Sequence, residues 1–226
     1  MFAILIPIKH LGDAKQRLAH LFSPVERAEL AQVMMEDVFA AVRGVRAAER
    51  VFVATSYEPA MVQAGRHGWT VLRETRQVSE SDSVDAASRD CASRGVTALL
   101  RLPIDLPLVT AADVEDIFTA ARDSGSPCAV LVPSRDRTGT NALLRAHPAL
   151  FPSHFGPGSF AKHLAEARAA GARVVTLRNP RIEQDVDEPD DLRALLTQDL
   201  GGTCTGRWLE RSGIADRLLA GAGMRV

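Results

Sequence analysis

Just beyond its apolar opening run, residues 7–18 of the chain gather three cations, Lys9, Lys15 and Arg17. Ammonium and guanidinium groups placed together can neutralise a polyphosphate. A solvated basic loop is the plainer account of the same residues. The stretch carries no GxxxxGK[ST] pattern, so it is not a P-loop. A second stretch, Leu102-Pro103-Ile104-Asp105-Leu106-Pro107-Leu108, holds one carboxylate between two prolines after an apolar run. The prolines stiffen the turn and hold Asp105 at the sheet edge. A hard cation such as Mg²⁺ takes one or two carboxylates plus phosphate oxygens. Asp105 could equally cap the turn that follows.

Further acids lie in Gln184-Asp185-Val186-Asp187-Glu188-Pro189-Asp190-Asp191-Leu192. Asp185 and Asp187 can offer more carboxylate to the same metal, while Glu188 to Asp191 read as an acidic helix start, favourable to the dipole. Two turn-like stretches complete the set: Asp136-Arg137-Thr138-Gly139-Thr140-Asn141 and Phe155-Gly156-Pro157-Gly158-Ser159. Their small residues let backbone approach an anion closely. Ser159 is expected to cap a helix whose free N–H groups face a phosphate or carboxylate. Taken singly, each is a tight turn. Taken together, they offer cations, separated acids and anion-binding turns. No GxSxG, HExxH, Cys/His pairing or GxGxxG accompanies them. That combination fits phosphoryl or nucleotidyl transfer by positioning and charge neutralisation, without a covalent nucleophile.

The elements that must position these residues alternate. Strands are expected at 1–8, 51–55, 69–72, 97–102, 128–132 and 173–177, with a shorter candidate at 142–144. Helices are expected at 24–42, 59–65, 83–93, 111–122, 160–170 and 189–196. Ser23-Pro24-Val25-Glu26 has the pattern of a capped helix start, and Thr110 with Asp113 repeats it. Alternation of this kind implies an α/β fold with a largely parallel sheet covered on both faces. Ligands in such sheets bind at the carboxyl ends of the strands, where the charged loops fall. Residues 1–197 read as one domain. The glycine-rich stretch 198–226 reads as a tail with one short helix at 208–219, open to core packing, oligomerisation or partial disorder.

A net charge of -1 over 226 residues argues against a nucleic-acid surface. Three widely spaced cysteines argue against disulfides and zinc. The apolar start is too short for a leader, and no run reaches the length of a membrane span. A cytoplasmic enzyme is expected, with neither nucleic acid nor membrane as partner.

Through these five motifs, in this order and over residues 3–196, the chain resembles the CofC/FbiD family of guanylyltransferases in coenzyme F420 biosynthesis. The resemblance rests on Ile6-Pro7-Ile8-Lys9, Ala14-Lys15-Gln16-Arg17-Leu18, Asp105-Leu106-Pro107-Leu108 and the three later stretches, with His163. It implies a Rossmann-like three-layer α/β/α sandwich of the nucleotide-diphospho-sugar transferase type. The implied reaction joins GMP from GTP to a phosphorylated three-carbon acid: 2-phospho-L-lactate, phosphoenolpyruvate or 3-phospho-D-glycerate. By resemblance, Asp105, Asp185 and Asp187 hold Mg²⁺, as two ions in the substrate complex. Lys9, Lys15 and Arg17 meet the triphosphate, and Pro7, Pro103, Ser83 and Asp85 frame the nucleotide. Thr140, Asn141, Gly156, Gly158 and Ser159 take the acid. A homodimer and hand-over of an unstable product to the next pathway enzyme stay open.

One departure touches the base. Where many members open a helix with Leu-Asn, this chain reads Ser81-Asp82-Ser83-Val84-Asp85, leaving Asp82, Ser83 or Asp85 to substitute. Two rival readings stay in view. One is a sibling nucleotidyltransferase acting on a sugar phosphate or molybdopterin. The other is a non-catalytic nucleotide binder.

Overall fold

The computed structural model describes residues 1–75 and 79–214. Seven strands form one mixed sheet: β1 (Phe2–Ile8), β2 (Arg50–Thr55), β3 (Thr70–Arg73), β4 (Ala98–Arg101), β5 (Cys128–Pro133), β6 (Thr140–Ala146) and β7 (Arg173–Thr176). Their order is β3-β2-β1-β4-β6-β5-β7. Only β6 runs against its neighbours β4 and β5. The reason is local. A short turn joins β5 to β6, and adjacent strands so joined must pair antiparallel. Within that turn Asp136 accepts from the Thr138 N–H at 3.0 Å, and Ser134 Oγ accepts from the Gly139 N–H at 2.8 Å.

The helices are α1 (Pro24–Arg43), α2 (Glu58–Arg66), α3 (Glu80–Ser93), α4 (Ala111–Ser124), α5 (Ser159–Ala169), α6 (Pro180–Glu183), α7 (Pro189–Leu196) and α8 (Cys204–Ser212). Strand β1 reads as an unbroken apolar run because both of its faces are covered. Ile4, Ile6 and Ile8 pack with Met35, Val38 and Phe39 of α1 and Val114 and Phe118 of α4. Ala3 and Leu5 pack the other way, with Val84, Ala87 and Cys91 of α3. Helix α5 covers the far end of that second face, seating Phe160 and Ala167 on Ala129, Leu131 and Leu143. These are the three layers expected of the fold.

Capping places the helix that carries the first loop. Glu26 reaches back to the Ser23 N–H at 2.8 Å, and Ser23 Oγ accepts from the Glu26 N–H at 3.3 Å. Thr110 and Asp113 make the same reciprocal pair at α4. At α3 and α5 the start differs from expectation. Helix α3 begins at Glu80, three residues earlier than the pattern suggested, because Ser79 caps it and puts Glu80 and Asp82 in its first turn. Helix α5 is capped by the backbone of Gly158, at φ +71°, and not by Ser159. A left-handed residue is needed there, and glycine adopts it without strain. Ser159 is therefore the first helical residue, and it is buried.

The segment after 198 packs onto α1. Asp37 accepts from the Cys204 and Thr205 N–H groups at 2.6 and 2.9 Å, and the Trp208 indole N–H donates to Glu29 at 3.1 Å. Trp208, Leu209 and Ile214 join Leu30, Met34, Val186 and Leu192 in a second apolar cluster. The helix expected at 208–219 starts at Cys204 instead, where Thr203 caps it; its expected last residues, 215–219, lie outside the described residues. Among the described residues no helix is long and apolar enough to cross a membrane.

Candidate functional site

Two cavities open at the carboxyl ends of β1 and β4, as the parallel part of the sheet requires. The first, of about 420 Å³, is lined by Pro7, Lys9, Lys15, Ser83, Pro103 and Asp105 among others. The second, of about 560 Å³, is lined by Arg17, Thr140, Asn141, Gly156, Ser159 and Asp185 among others. They share a wall made of Glu80, Arg101, Pro103, Asp105 and Asp187.

At that wall Lys15 is the central charge. Its backbone is left-handed, at φ +53°, which turns the side chain inward from the loop. The ammonium lies 3.0 Å from Asp105 and 2.8 Å from Asp187, with 9% of the side chain exposed. Burial alone would favour the neutral amine, but the two carboxylates outweigh it and hold Lys15 charged. Lys15 in turn holds Asp187 below the usual carboxylate range. Asp185 stands behind them. Burial, and then the negative charge of Asp105, push its carboxyl up, against the Asn141 amide that donates to it at 3.0 Å. Arg17 pairs with Glu188 at 2.9 Å, and both side chains are exposed. Thus Lys15 and Arg17, expected at a triphosphate, are here engaged with acids, and Lys9 is the exposed cation of the first cavity.

The residues expected at the acid converge. Thr140 and Asn141 open β6, and Gly156 follows Phe155 at φ +115°, a conformation that belongs to glycine. Ser159 Oγ lies 3.4 Å from Thr140 Oγ. Two candidates stand apart. Asp85 faces a neighbouring depression, and its carboxylate accepts from the Ser153 N–H at 3.0 Å and pairs with Arg145 at 3.3 Å. Those bonds join α3 to β6 and the loop after it, so its commitments are structural. Gly158 lines neither cavity; it serves as the cap of α5.

Arg101 and Glu80 are the residues that pattern reading missed. Arg101 ends β4 with 8% of its side chain exposed and forms an ion pair with Glu80. Its guanidinium lies 4.2 Å over the Phe155 ring and donates to the Asn141 carbonyl at 3.1 Å. Among the described residues its Nε has no hydrogen-bond partner. A lone arginine within the run Ala98-Leu99-Leu100-Arg101-Leu102 was the available signal, because a buried charge needs a partner or a ligand.

Among the described residues no three acid, imidazole or thiolate groups form a ready-made metal cage. Asp105 and Asp187 nevertheless converge on one point, the Lys15 ammonium.

Comparison with known proteins gives the chain's lineage and fold. Residues 2–220 match the family model described as guanylyl transferase CofC like. A phosphoenolpyruvate guanylyltransferase from Rubrobacter xylanophilus is 39% identical over 196 residues, covering 86% of this chain and 93% of its own. One from Roseiflexus castenholzii is 36% identical over 205 residues, covering 90% and 91%. Among solved structures, a candidate nucleotide-diphospho-sugar transferase from Desulfovibrio desulfuricans superposes with a TM-score of 0.75 at 17% identity, covering 96% and 97%. A CMP:2-keto-3-deoxy-manno-octonic acid synthetase in complex with CTP superposes at 0.57 and 16%, covering 88% and 99%. The structures speak for the α/β sandwich and the sequences for the lineage: the chain belongs to the CofC-like guanylyltransferases, a family of nucleotidyltransferases.

Proposed function

We propose that this protein transfers GMP from GTP to a small phosphorylated three-carbon acid and releases pyrophosphate, as a step of coenzyme F420 biosynthesis. The observation that carries the reading is the shared wall: two cavities meet at Asp105, Asp187 and Arg101. One cavity then holds the triphosphate beside Lys9, and the other holds the acid beside Thr140, Gly156 and Ser159. Phosphoenolpyruvate leads the candidate acids, because the relatives named above are phosphoenolpyruvate guanylyltransferases. 2-Phospho-L-lactate and 3-phospho-D-glycerate remain to be compared, since they differ by a hydroxyl, a double bond or the position of the phosphate.

In this reading a phosphate oxygen of the acid attacks the α-phosphorus of GTP. The bond from that phosphorus to the bridging oxygen of pyrophosphate breaks, and a diphosphate linkage joins GMP to the acid. A phosphate monoester is already ionised near neutral pH, so the attack needs no strong base. What the protein must supply is orientation and relief of repulsion between two anions. Asp105 and Asp187, with Asp185 behind them, have the hard oxygen donors that suit Mg²⁺, which completes its shell with water and phosphate oxygens. When bound, Mg²⁺ would offset the charge developing on the phosphates. Lys9 lines the triphosphate cavity, Arg17 lines the acid cavity, and Arg101 lies in the wall between them.

The test is pyrophosphate release with each nucleoside triphosphate against each of the three acids. GTP-dependent release with one acid, lost in Asp105→Asn with the fold retained, is the expected result. Release only with CTP and a sugar phosphate would move the chain to a sibling activity. Nucleotide binding with no release would make it a binder.

A further inference from the structure

Beneath the second cavity lies a histidine to which no role has been assigned. His163, on α5, is fully buried. Its two ring nitrogens have different partners. The His154 backbone N–H points at Nε2 from 2.8 Å, and the Thr140 hydroxyl lies 3.0 Å from Nδ1. A backbone N–H can only donate, so Nε2 must carry a lone pair. The single proton of a neutral ring then sits on Nδ1 and is donated to Thr140 Oγ. The ring is neutral: burial first, and then the positive charges of Arg145 and Arg101, push it down to about 3. His154 and Asp85 are the other titratable groups that act on it, and only Asp85 opposes the shift.

We propose that His163 is a positioning residue that holds the Thr140 hydroxyl with its proton turned toward the second cavity, where it donates to the anionic substrate. The proposal rests on the reading that this cavity takes the phosphorylated acid. The chain of reasoning is one of lone pairs. Thr140 Oγ accepts from Nδ1–H on the protein side, so its own proton is left to donate. Ser159 Oγ, a buried hydroxyl lining the same cavity, also donates to Thr140 Oγ at 3.4 Å. An unfixed hydroxyl could present a lone pair to the anion instead, which would repel it. The opposite ring tautomer would present a lone pair to Thr140, draw the hydroxyl proton inward and spoil the site.

Two substitutions separate this role from simple packing. His163→Asn places an amide N–H₂ near the position of Nδ1 and keeps the donor to Thr140, while giving up the acceptor for the His154 N–H. His163→Gln reaches as far as Nε2 and keeps that acceptor, while giving up the donor to Thr140. Steady-state pyrophosphate release should show the KM for the acid raised about tenfold in the Gln variant. The KM for GTP should stay near wild type, and the Asn variant should lie close to wild type for both substrates. A purely structural role predicts the reverse order, with Gln the milder change, and either that order or two equal variants would overturn the proposal. The wild-type chain offers a reading that needs no variant. Long-range ¹H–¹⁵N spectra of the imidazoles should show His163 as the neutral Nδ1–H tautomer, and an Nε2–H tautomer would overturn it. If the wild type turns over none of the three acids, the functional reading fails and carries the proposal with it. Normal wild-type turnover with equal variants removes the proposal alone.

Discussion

Asp113→Asn should lower the stability of the protein by about 2 kcal/mol at neutral pH and by almost nothing in strong acid. Asp113, 1% exposed, accepts five hydrogen bonds. Two come from Arg181, at 2.7 and 2.6 Å, and one from Asn179 at 2.7 Å. The remaining two come from the N–H and hydroxyl of Thr110, at 2.9 and 2.6 Å. Burial on its own would raise its titration point, but the donors from Arg181, Asn179 and Thr110 prevail and hold it at about 2. Its ordinary value is 3.8. At about 1.4 kcal/mol for each tenfold change in acidity, that gap is worth about 2 kcal/mol. The sign follows from the depressed value. The stabilisation is complete above the unfolded titration point and is lost as pH falls through the folded one, so the window runs from about pH 5 down to about pH 2. Urea unfolding of wild type and variant across that window is the assay. Other carboxylates titrate alike in both proteins and drop out of the difference. A difference that stays constant from pH 7 to pH 2 would refute the reasoning. The bond matters to the site as well. Arg181 and Asn179 lead into Ile182, whose carbonyl accepts from Asn141 at 2.9 Å, and then into Asp185. Asp113 thus ties α4 to the segment that carries the candidate metal carboxylates.

Other perturbations reach the site more directly. Lys15→Met removes the charge between Asp105 and Asp187, so the melting temperature should fall without divalent cation and recover when Mg²⁺ is added; calorimetry showing no recovery would count against a cation site there. Chelation of divalent cations should stop pyrophosphate release by the wild type and leave its far-ultraviolet circular dichroism unchanged. Gly156→Ala has room for its methyl group but not the backbone, at φ +115°, so strain of about 1–3 kcal/mol should appear as a raised KM for the acid. Asp37→Ala removes the acceptor for two N–H groups at the start of α8, and limited proteolysis should then cut the chain after 198 faster.

Much of the fold is legible in the residues, because its signals are local. The run from Phe2 to Ile8 reads as a central strand, since a strand covered on both faces has no polar alternation to lose. Ser23 with Glu26, and Thr110 with Asp113, announce helix starts through side chains three residues apart. Where the signal is local but shared, the reading slips by a few residues. The helical pattern is picked up at Ser83, yet Ser79 caps the helix and it begins at Glu80. Ser159 resembles a cap because it precedes an apolar run, yet the chain needs a left-handed residue and Gly158 supplies it. The charge arrangement at the site is another matter. Lys15 meets acids 90 and 172 positions away, and Arg101 meets Glu80 through the placement of α3 over the sheet. No spacing rule reports such pairs.

Those long-range pairs also bear on how a chain with a net charge of -1 would host the proposed reaction between two anions. Three of its cations are held by acids at the shared wall or its rim, while Lys9 stays exposed: Lys15 by Asp105 and Asp187, Arg17 by Glu188, Arg101 by Glu80. Phosphates entering either cavity would compete with those carboxylates for the same cations. A divalent cation binding the released carboxylates would then favour the exchange, so nucleotide and metal should bind with positive coupling. Titration calorimetry of GTP with and without Mg²⁺ measures that coupling directly. Equal GTP affinity in both conditions would show that the acids and the phosphates do not share these cations.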